Sequence, residues 1–427
     1  MRNDNIKFKD ISWNTIGTVT YSAVSMLLSV VIINLCGSIE GGIFSFGFST
    51  LAHLIFIISF FGIRAMHIVD IKYRYSFNDY VSFGIRTMLI GIIFGATYIL
   101  YRYYLGTYNN TKSILLFILV LHGAIDGFAD YFECEYQRVN KLYMSGQSIF
   151  FRILSFTITL IVVVYTTNNL LFAEICAVIV EIIFFYFLNI FRSKNVFKSA
   201  KLDDKHMKHR SLFLEALPLF LITFLDMYIF SSAKMSIDAN LGDVYSGFFN
   251  LVFMPTNIIY LVMTLFMKPI LTPLSNAYYN DKEEYKKILF HTFIIALLIS
   301  IIFMILAVFF GRIYLNLVNL VTGNIYDWAR KEIVYNGLPL DYVVFLIVIF
   351  GGMFYTICTP MYFAIIIEGK QRYLVIAYAI VMMISTYISR MYTINAGIIG
   401  AAISFVISMF LLFFGIFVIK VLTNNGR

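Results

Sequence analysis

Four titratable side chains recur at helical spacing within one otherwise apolar stretch. His122, Asp126, Asp130 and Glu133 are separated by four, four and three residues. Because an α-helix turns once every 3.6 residues, this spacing places all four side chains on one face. Charged groups in apolar surroundings face either one another or water. The pattern therefore predicts an ionised stripe along one helix.

Two arginines lie in neighbouring apolar stretches at the same depth as these acids. Arg86 and Arg152 each fall about five or six residues into an apolar run, roughly 8–9 Å along a helix axis. Arg64 follows the end of another such run. One interpretation is an ion-pair network that holds the helices together. The other is a site for an anionic headgroup, because a guanidinium binds two phosphate oxygens at once.

The chain around these residues consists almost entirely of membrane-length apolar runs. Of its 427 residues, 60% are hydrophobic and 13% are charged. A helix of about 20 residues crosses a hydrocarbon core of roughly 30 Å. The runs lie at 11–36, 43–64, 80–101, 113–132, 147–167, 169–191, 212–235, 244–268, 288–311, 342–367, 372–393 and 396–419. The sequence predicts an all-α polytopic membrane protein with about 12 transmembrane helices.

Three intramembrane carboxylates are candidates for carrying an ion. Glu181 and Asp226 lie nearest to mid-depth in their segments, Glu174 precedes Glu181 by one heptad, and Asp126 lies in the stripe. A buried carboxylate that is not paired can carry a proton. Asp126, Glu181 and Asp226 could therefore couple a transport cycle to protons or sodium. The alternative is a hydrogen-bonded structural acid. Lys234, Lys268 and Arg390 lie at helix ends, where snorkelling to the interface is expected.

The distribution of Lys and Arg predicts the orientation. With both termini in the cytoplasm, about 23 of the 32 basic residues fall in cytoplasmic segments, as the positive-inside rule requires. The net charge of +8 is therefore a sign of topology and of contact with anionic lipid, and does not indicate nucleic-acid binding. The four cysteines have no metal-ligand spacing, so neither a zinc site nor disulfides are expected.

The spans divide into two equal sets. A basic linker, residues 192–210, separates six from six and predicts lobes at 1–200 and 201–427. The turn Asn34-Leu35-Cys36-Gly37, with Gly42 and Phe44, is echoed by Asn240-Leu241-Gly242, with Gly247 and Phe249. Each copy joins the first two spans of its half. These features predict a parallel repeat, with a cleft between the lobes.

Motifs for soluble-type enzymes are missing from the sequence. It has no G-x-x-x-x-G-K-[ST], no H-E-x-x-H and no G-x-S-x-G. Its first outer loop, 37–42, contains a single acid, Glu40. The longest outer segment, 312–341, is about 30 residues by this interpretation. The chain is not expected to be an enzyme or to need a cofactor.

Three stretches resemble the polysaccharide-exporter branch of the multidrug/oligosaccharidyl-lipid/polysaccharide exporter superfamily. They are residues 37–46 onward to Gly62 and Asp70, residues 137–152 with Gly146, and residues 218–249 with Asp226. The resemblance implies two six-helix lobes that form a V. It also implies export of an undecaprenyl-diphosphate-linked oligosaccharide across a bacterial inner membrane for O-antigen or capsule synthesis, alongside glycosyltransferases and a polysaccharide polymerase.

The resemblance also implies a cationic central cavity. By this resemblance the cavity is lined by Arg64, Arg86, Arg152 and Lys268. Lys234 occupies a position where many relatives have arginine. Two alternatives stay open. An ion-coupled multidrug or small-cation exporter of the same fold would present acids and aromatics to its cavity, and the stripe on the fourth span suits it. A membrane glycosyltransferase or polymerase would depend on outer acids such as Glu40, Asp327 and Glu332.

Overall fold

A computed structural model describes residues 2–70, 74–196, 209–322, 324–327, 332–335 and 341–425. Apart from one short hairpin, the regular structure in these ranges is helical. The helices of the first half are α1 Arg2–Phe46, α2 Ala52–Phe60, α3 Arg64–Val69, α4 Phe77–Tyr104, α5 Asn110–Arg138, α6 Leu142–Thr167, α7 Leu170–Phe185 and α8 Arg192–Val196. Single π-helical turns, Gly47–Leu51 and Tyr186–Phe191, follow α1 and α7.

The second half repeats this all-helical pattern. Its helices are α9 His209–Asn240, α10 Asp243–Asn280, α11 Lys282–Thr322, α12 Tyr342–Ile367 and α13 Gln371–Asn425. The strands β1 Asn324–Asp327 and β2 Glu332–Tyr335 pair antiparallel, with Asn324 opposite Tyr335. Because α11 continues to Thr322, the outer segment that was predicted to begin at Arg312 is shorter than expected.

Ten stretches of the described residues are long and apolar enough to span a membrane. Two of them contain a break: α1 at Gly37 and α13 at Ala396 and Gly397, where the backbone angles are not helical. Each of these two stretches supplies two crossings, so the ten correspond to the twelve predicted spans. The prediction of a polytopic all-α membrane protein is confirmed.

Glycines mark the equivalent turn in both halves. Gly37 has φ 90° and ψ 174°, and Gly242, 205 residues later, has φ 91° and ψ −178°. This region of backbone space is open essentially only to glycine. Phe44 and Phe249, also 205 residues apart, are both fully buried. The faint repeat in the sequence therefore corresponds to one backbone geometry used twice.

The chain divides into two compact units. Unit 1 contains residues 1–224 and 324–336, and unit 2 contains residues 225–323 and 337–427, so the division falls within α9. The predicted boundary at residues 200 and 201 lies in 197–208, outside the described residues. Pro218 and Pro360 lie inside α9 and α12, and both helices continue through them.

Close helix packing in unit 1 depends on small residues of α5. A side chain at Gly123 would overlap the carbonyl oxygen of Ala52, and one at Gly127 would lie 2.6 Å from Cβ of Ser59. Without a Cβ, these glycines let the α5 backbone lie directly against α2. Gly91 and Gly95 act similarly on α4 against Ser59 and Val120. The small-xxx-small pairs therefore hold α5, which carries the ionised stripe, at the centre of the unit.

Candidate functional site: the charged groups of the two units

Arg152 is the centre of a buried ion-pair network in unit 1. Its Nε and Nη2 lie 3.0 and 2.7 Å from Oδ1 of Asp126, and its Nη1 lies 2.9 Å from Oε1 of Glu133. A third carboxylate, Glu181, lies 3.8 Å from Nε. The arginine is 3% exposed. Its planar fork can satisfy acids one turn and more apart on α5, which a single ammonium could not do.

Hydroxyl groups complete the coordination of these acids. The Tyr21 hydroxyl of α1 hydrogen-bonds to Asp126. Ser148 donates to Glu133 at 3.3 Å and lies 2.8 Å from Oδ1 of Asn189. The network thus joins the first, fourth, fifth and sixth crossings. Buried charges are tolerated when they are paired and hydrogen-bonded in this way.

His122, at the upper end of the stripe, pairs with α7. Its Nδ1 lies 2.8 Å from Oε2 of Glu181. The imidazole packs against the rings of both Phe48 and Phe156, with centroids 5.4 and 4.3 Å away, and these two rings are stacked on each other at 6.1 Å. The four side chains of the stripe do share one face, as the 4, 4, 3 spacing predicted, and each has a partner within unit 1.

Arg64 pairs with the remaining acid of the stripe but stays open to its surroundings. Its Nη2 lies 3.2 Å from Oδ1 of Asp130, and its side chain is 40% exposed. Cys134 donates to the other oxygen of Asp130. Arg64 therefore has donor groups left for a ligand while its position is held by one ion pair.

Arg86 is the arginine that the network leaves out. It is exposed, and it makes no ion pair or hydrogen bond with any part of the chain that the structure describes. It lies nine residues after the start of α4, roughly 13 Å along the axis. An unpaired guanidinium in a membrane-spanning helix is costly unless it faces water or a partner. Of the predicted cavity residues, Arg86 is therefore the most available to an anion, and Arg152 the least.

Two lysines complete the set of predicted cations. The side chain of Lys268 lies outside the described residues. Lys234 was expected to snorkel to the interface, and this expectation is wrong: the residue is 4% exposed, with Nζ 4.4 Å from the centroid of the Phe253 ring. The ring faces supply a cation–π contact in place of water.

Asp226, the central acid of unit 2, has no cationic partner among the described residues. The Tyr355 hydroxyl donates to Oδ2 of Asp226 at 2.6 Å, and the Tyr378 hydroxyl faces the same carboxyl group. Oδ1 makes no hydrogen bond to any described residue. The ring of Tyr260 lies 5.1 Å from that of Tyr355. The setting of Asp226 is thus aromatic and polar rather than ionic.

The tyrosine–carboxylate contacts of the two units are related by the repeat. Tyr21 and Asp226 are 205 residues apart, the same interval as the paired glycines. Each lies in the first crossing of its half and contacts the fourth crossing, Tyr21 through Asp126 of α5 and Asp226 through Tyr355 of α12. Donor and acceptor have changed places between the units.

A second buried cluster joins α3, α5 and the loop before α4. Nε2 of His67 lies 2.8 Å from Oε2 of Glu135, and Nη2 of Arg138 lies 2.7 Å from the same oxygen. Arg138 also approaches Asp70, whose carboxylate accepts a hydrogen bond from the Tyr80 hydroxyl at 3.2 Å. Burial lowers the pKa of His67, and its hydrogen bond to Glu135 only partly offsets this. Sequence reasoning did not find this cluster because its members come from three separate segments.

Neither a disulfide nor a metal-binding cluster accompanies these ionic groups among the described residues. The four cysteines are free. The described residues contain no group of three His, Cys, Asp or Glu side chains arranged to hold a metal ion. The site therefore consists of fixed, mostly paired charges in apolar surroundings.

Known proteins resemble this chain in structure but not detectably in sequence. No protein-family model matches the chain, and no curated protein matches its sequence significantly. Solved structures do match. They include the inward-facing conformation of a multidrug resistance MATE family transporter of the MOP superfamily, at 12% identity and TM-score 0.63, over 97% of this chain and 95% of the other.

Two further solved structures also match over most of both chains. The lipid II flippase MurJ, in an inward closed conformation, matches at 16% identity and TM-score 0.58, over 96% of this chain and 87% of the other. A eukaryotic MATE transporter, AtDTX14, matches at 10% identity and TM-score 0.59, over 97% and 95%. The chain therefore has the two-lobe fold of these transport proteins. They are transporters and a flippase rather than enzymes, which agrees with the expectation from the sequence.

Proposed function

We propose that this protein is a flippase for a polyprenyl-diphosphate-linked oligosaccharide. It would move the repeat unit of a surface polysaccharide, such as O-antigen or capsule, from the cytoplasmic to the outer leaflet by alternating access. The observation that carries the proposal is the unpaired, exposed Arg86 in a membrane-spanning helix. An anionic headgroup is the ligand that such a guanidinium would stabilise.

Arg64 and Arg86 are the residues that we assign to the headgroup. Both are on unit 1, and both have guanidinium donors that the protein does not use fully. A diphosphate offers several anionic oxygens, so each arginine can bind two of them. Lys268 is a third candidate in the same assignment. We assign Arg152 a supporting role, because its donors are already taken by Asp126 and Glu133.

The need for a protein passage follows from the chemistry of the substrate. Sugars and two phosphates cannot cross hydrocarbon unaided, because each unsatisfied polar group there costs several kcal/mol. A polyprenyl chain can stay in lipid while its headgroup moves through a polar passage. The similarity to a lipid II flippase supports a lipid-linked substrate, and the sequence resemblance supports an oligosaccharide made by glycosyltransferases and used by a polymerase.

The bacterial cytoplasmic membrane, with both termini inside, is part of the same proposal. It rests on the excess of Lys and Arg in the segments assigned to the cytoplasm. This orientation puts Arg64 near the inner mouth, where a newly made lipid-linked repeat unit would be captured. Cysteine accessibility at the described C-terminal end of α13 and in the α4–α5 turn would test it, with labelling expected from opposite sides.

The test of function is a reconstituted flipping assay. Liposomes contain an undecaprenyl-diphosphate-linked oligosaccharide with a fluorophore on the sugar, and an impermeant reductant bleaches the outer leaflet. Wild type should make the protected inner pool accessible. Because a hydrogen bond to a charged group contributes about 1.5–3 kcal/mol, Arg86→Gln should slow flipping about 10–100-fold. Lys282→Gln removes an exposed cation at the start of α11 and should leave the rate unchanged.

An exporter of small organic cations is the second candidate, favoured by the setting of Asp226. A carboxylate bordered by Tyr355, Tyr378 and Tyr260 suits a cation, and multidrug transporters have this fold. Uptake of a fluorescent organic cation into the same liposomes distinguishes the two. Uptake that Asp226→Asn abolishes, with no flipping above that of empty liposomes, would replace the flippase proposal.

A further inference from the structure

Glu174 of α7 is a fully buried carboxylate of unit 1 that has no hydrogen-bond or ion-pair partner among the described residues. It is 0% exposed, and neither Oε1 nor Oε2 makes a hydrogen bond to a described residue. It forms no ion pair within the described part of the chain. By contrast, Glu181, one heptad further along α7, is held by His122 and lies near Arg152.

The surroundings of Glu174 add negative charge rather than compensating for it. Glu40 and Cys36, on either side of the α1 break, lie within electrostatic range of Glu174. Cys36 is the last residue of the first segment of α1, so the negative end of that segment's helix dipole lies at the break. Among the described residues, no lysine, arginine or histidine forms an ion pair or hydrogen bond with Glu174. Glu40 is exposed, whereas Glu174 is fully buried.

This arrangement is that of a cation site. A buried carboxylate that lacks donors costs several kcal/mol unless a positive charge neutralises it. The carbonyl end of the first segment of α1 lies at this turn between the first two crossings and adds partial negative charge there. We infer that Glu174, with Glu40 and the break at Gly37, binds a monovalent cation, H⁺ or Na⁺, that exchanges with the solution.

The position of the site indicates the side from which it fills. Glu174 lies four residues after the start of α7, at the end of the unit that also holds the α1 break. In the proposed orientation this end faces the outer side. Only the role of the bound ion rests on the proposed function: the ion that drives flipping would enter at Glu174. Binding itself does not require a substrate.

The test therefore begins without substrate, on the purified full-length protein. Thermal unfolding is measured in NaCl and in choline chloride, at about pH 6 and about pH 9, and infrared spectra record carboxylic-acid C=O bands over the same range. For a sodium site, Na⁺ should raise the unfolding midpoint of wild type at high pH, and Glu174→Gln should abolish this shift. For a proton site, a C=O band should disappear as the pH rises, and Glu174→Gln should remove that band.

Two further variants make the result interpretable if Glu174→Gln folds poorly. Glu40→Gln changes an exposed residue and should weaken the sodium shift, or shift the C=O titration, without removing it. Glu283→Gln changes an exposed acid at the start of α11 and should change neither. A C=O band of Glu174 that persists unchanged across the range would show a permanently protonated structural acid. That outcome overturns the inference, as does the absence of both signals.

Failure of this inference is distinguishable from failure of the proposed function. If wild type flips the labelled lipid and Glu174→Gln flips it with the same dependence on the ion gradient, the flippase stands and the site is wrong. If ion binding is seen and no flipping occurs, the site stands and the substrate is wrong.

Discussion

Arg152 is held by carboxylates, whereas Arg86 makes no ion pair with a described residue, so a single comparison of stability separates the two arginines. Arg152→Gln should unfold the protein more easily and Arg86→Gln should not. The first removes three charge-assisted hydrogen bonds, two to Asp126 and one to Glu133. The second removes a side chain that makes no ion pair or hydrogen bond with the described residues.

The expected loss of unfolding free energy for Arg152→Gln depends on the carboxylates that stay buried after the arginine is removed. Removing one partner of a buried ion pair costs about 3–5 kcal/mol, because the other charge is left uncompensated. After loss of Arg152, Asp126 keeps the Tyr21 hydroxyl and Glu133 keeps that of Ser148, so we expect the lower end, about 3 kcal/mol. A unit of roughly 220 residues loses about 2–4 °C per kcal/mol. The unfolding midpoint should therefore fall by roughly 6–12 °C.

The assay is thermal unfolding of the purified protein in one detergent, followed by intrinsic fluorescence. An exposed substitution away from packed or paired groups usually changes stability by no more than about 0.5 kcal/mol, so Arg86→Gln should match wild type. The triple variant Arg152→Met, Asp126→Asn, Glu133→Gln removes the charges together and should regain most of the loss. Flipping should show the opposite pattern for Arg86→Gln, with a slow rate at normal stability.

The reasoning is refuted if Arg152→Gln unfolds at the wild-type temperature. It is equally refuted if Arg86→Gln is as unstable as Arg152→Gln. In the first case the network does not hold the unit together, and Arg152 returns as a headgroup ligand.

Three other predictions use the same unfolding measurement. Gly123→Val should cost at least about 1–3 kcal/mol by forcing α5 away from Ala52, as overpacking does. Gly37→Ala and Gly242→Ala should each cost about 1–3 kcal/mol, because alanine is strained at their shared backbone angles. Acid should destabilise the protein through His67: burial holds the pKa of His67 below its ordinary value of about 6.5, so the stabilisation present above that pH is lost as the pH falls.

Each of these has its own control. Gly415→Ala, where a methyl group would make only an ordinary contact with Ala377, should be tolerated, which separates strain from the mere loss of glycine. His67→Gln should reduce the drop in midpoint between about pH 7.5 and about pH 5.5. An unchanged drop would place the acid sensitivity at other groups. Wild-type midpoints for the glycine variants would contradict the packing and backbone arguments.

Local spacing was enough to predict the crossings and the stripe. Apolar runs of membrane length predicted twelve spans, and each run lies on helical structure apart from a few residues at its ends, such as 61–63 and 169. The 4, 4, 3 spacing placed His122, Asp126, Asp130 and Glu133 on one face because helix periodicity is a local property. The repeated turn could also be recognised from its glycines, because essentially only glycine tolerates the backbone angles at residues 37 and 242.

The sequence could not predict which charged residues form ion pairs, because pairing depends on helix rotation and packing. Depth alone put Arg86 and Arg152 at the same level, yet α6 turns Arg152 toward α5 while α4 presents Arg86 away from it. Lys234 was assigned to the interface from its position near a helix end, and the Phe253 ring holds it inside instead. Tyr21 was missed because one of the chain's 30 tyrosines gives no signal until its partner is known.

The exchange of tyrosine and carboxylate between residues 21 and 226 means that the two halves are no longer interchangeable parts. A chain built from two copies of the first half would carry an arginine-bound acid on both sides and lose the tyrosine-bound one. Among the described residues, the first half pairs its central acid with an arginine, and the second half holds Asp226 with tyrosine hydroxyls alone.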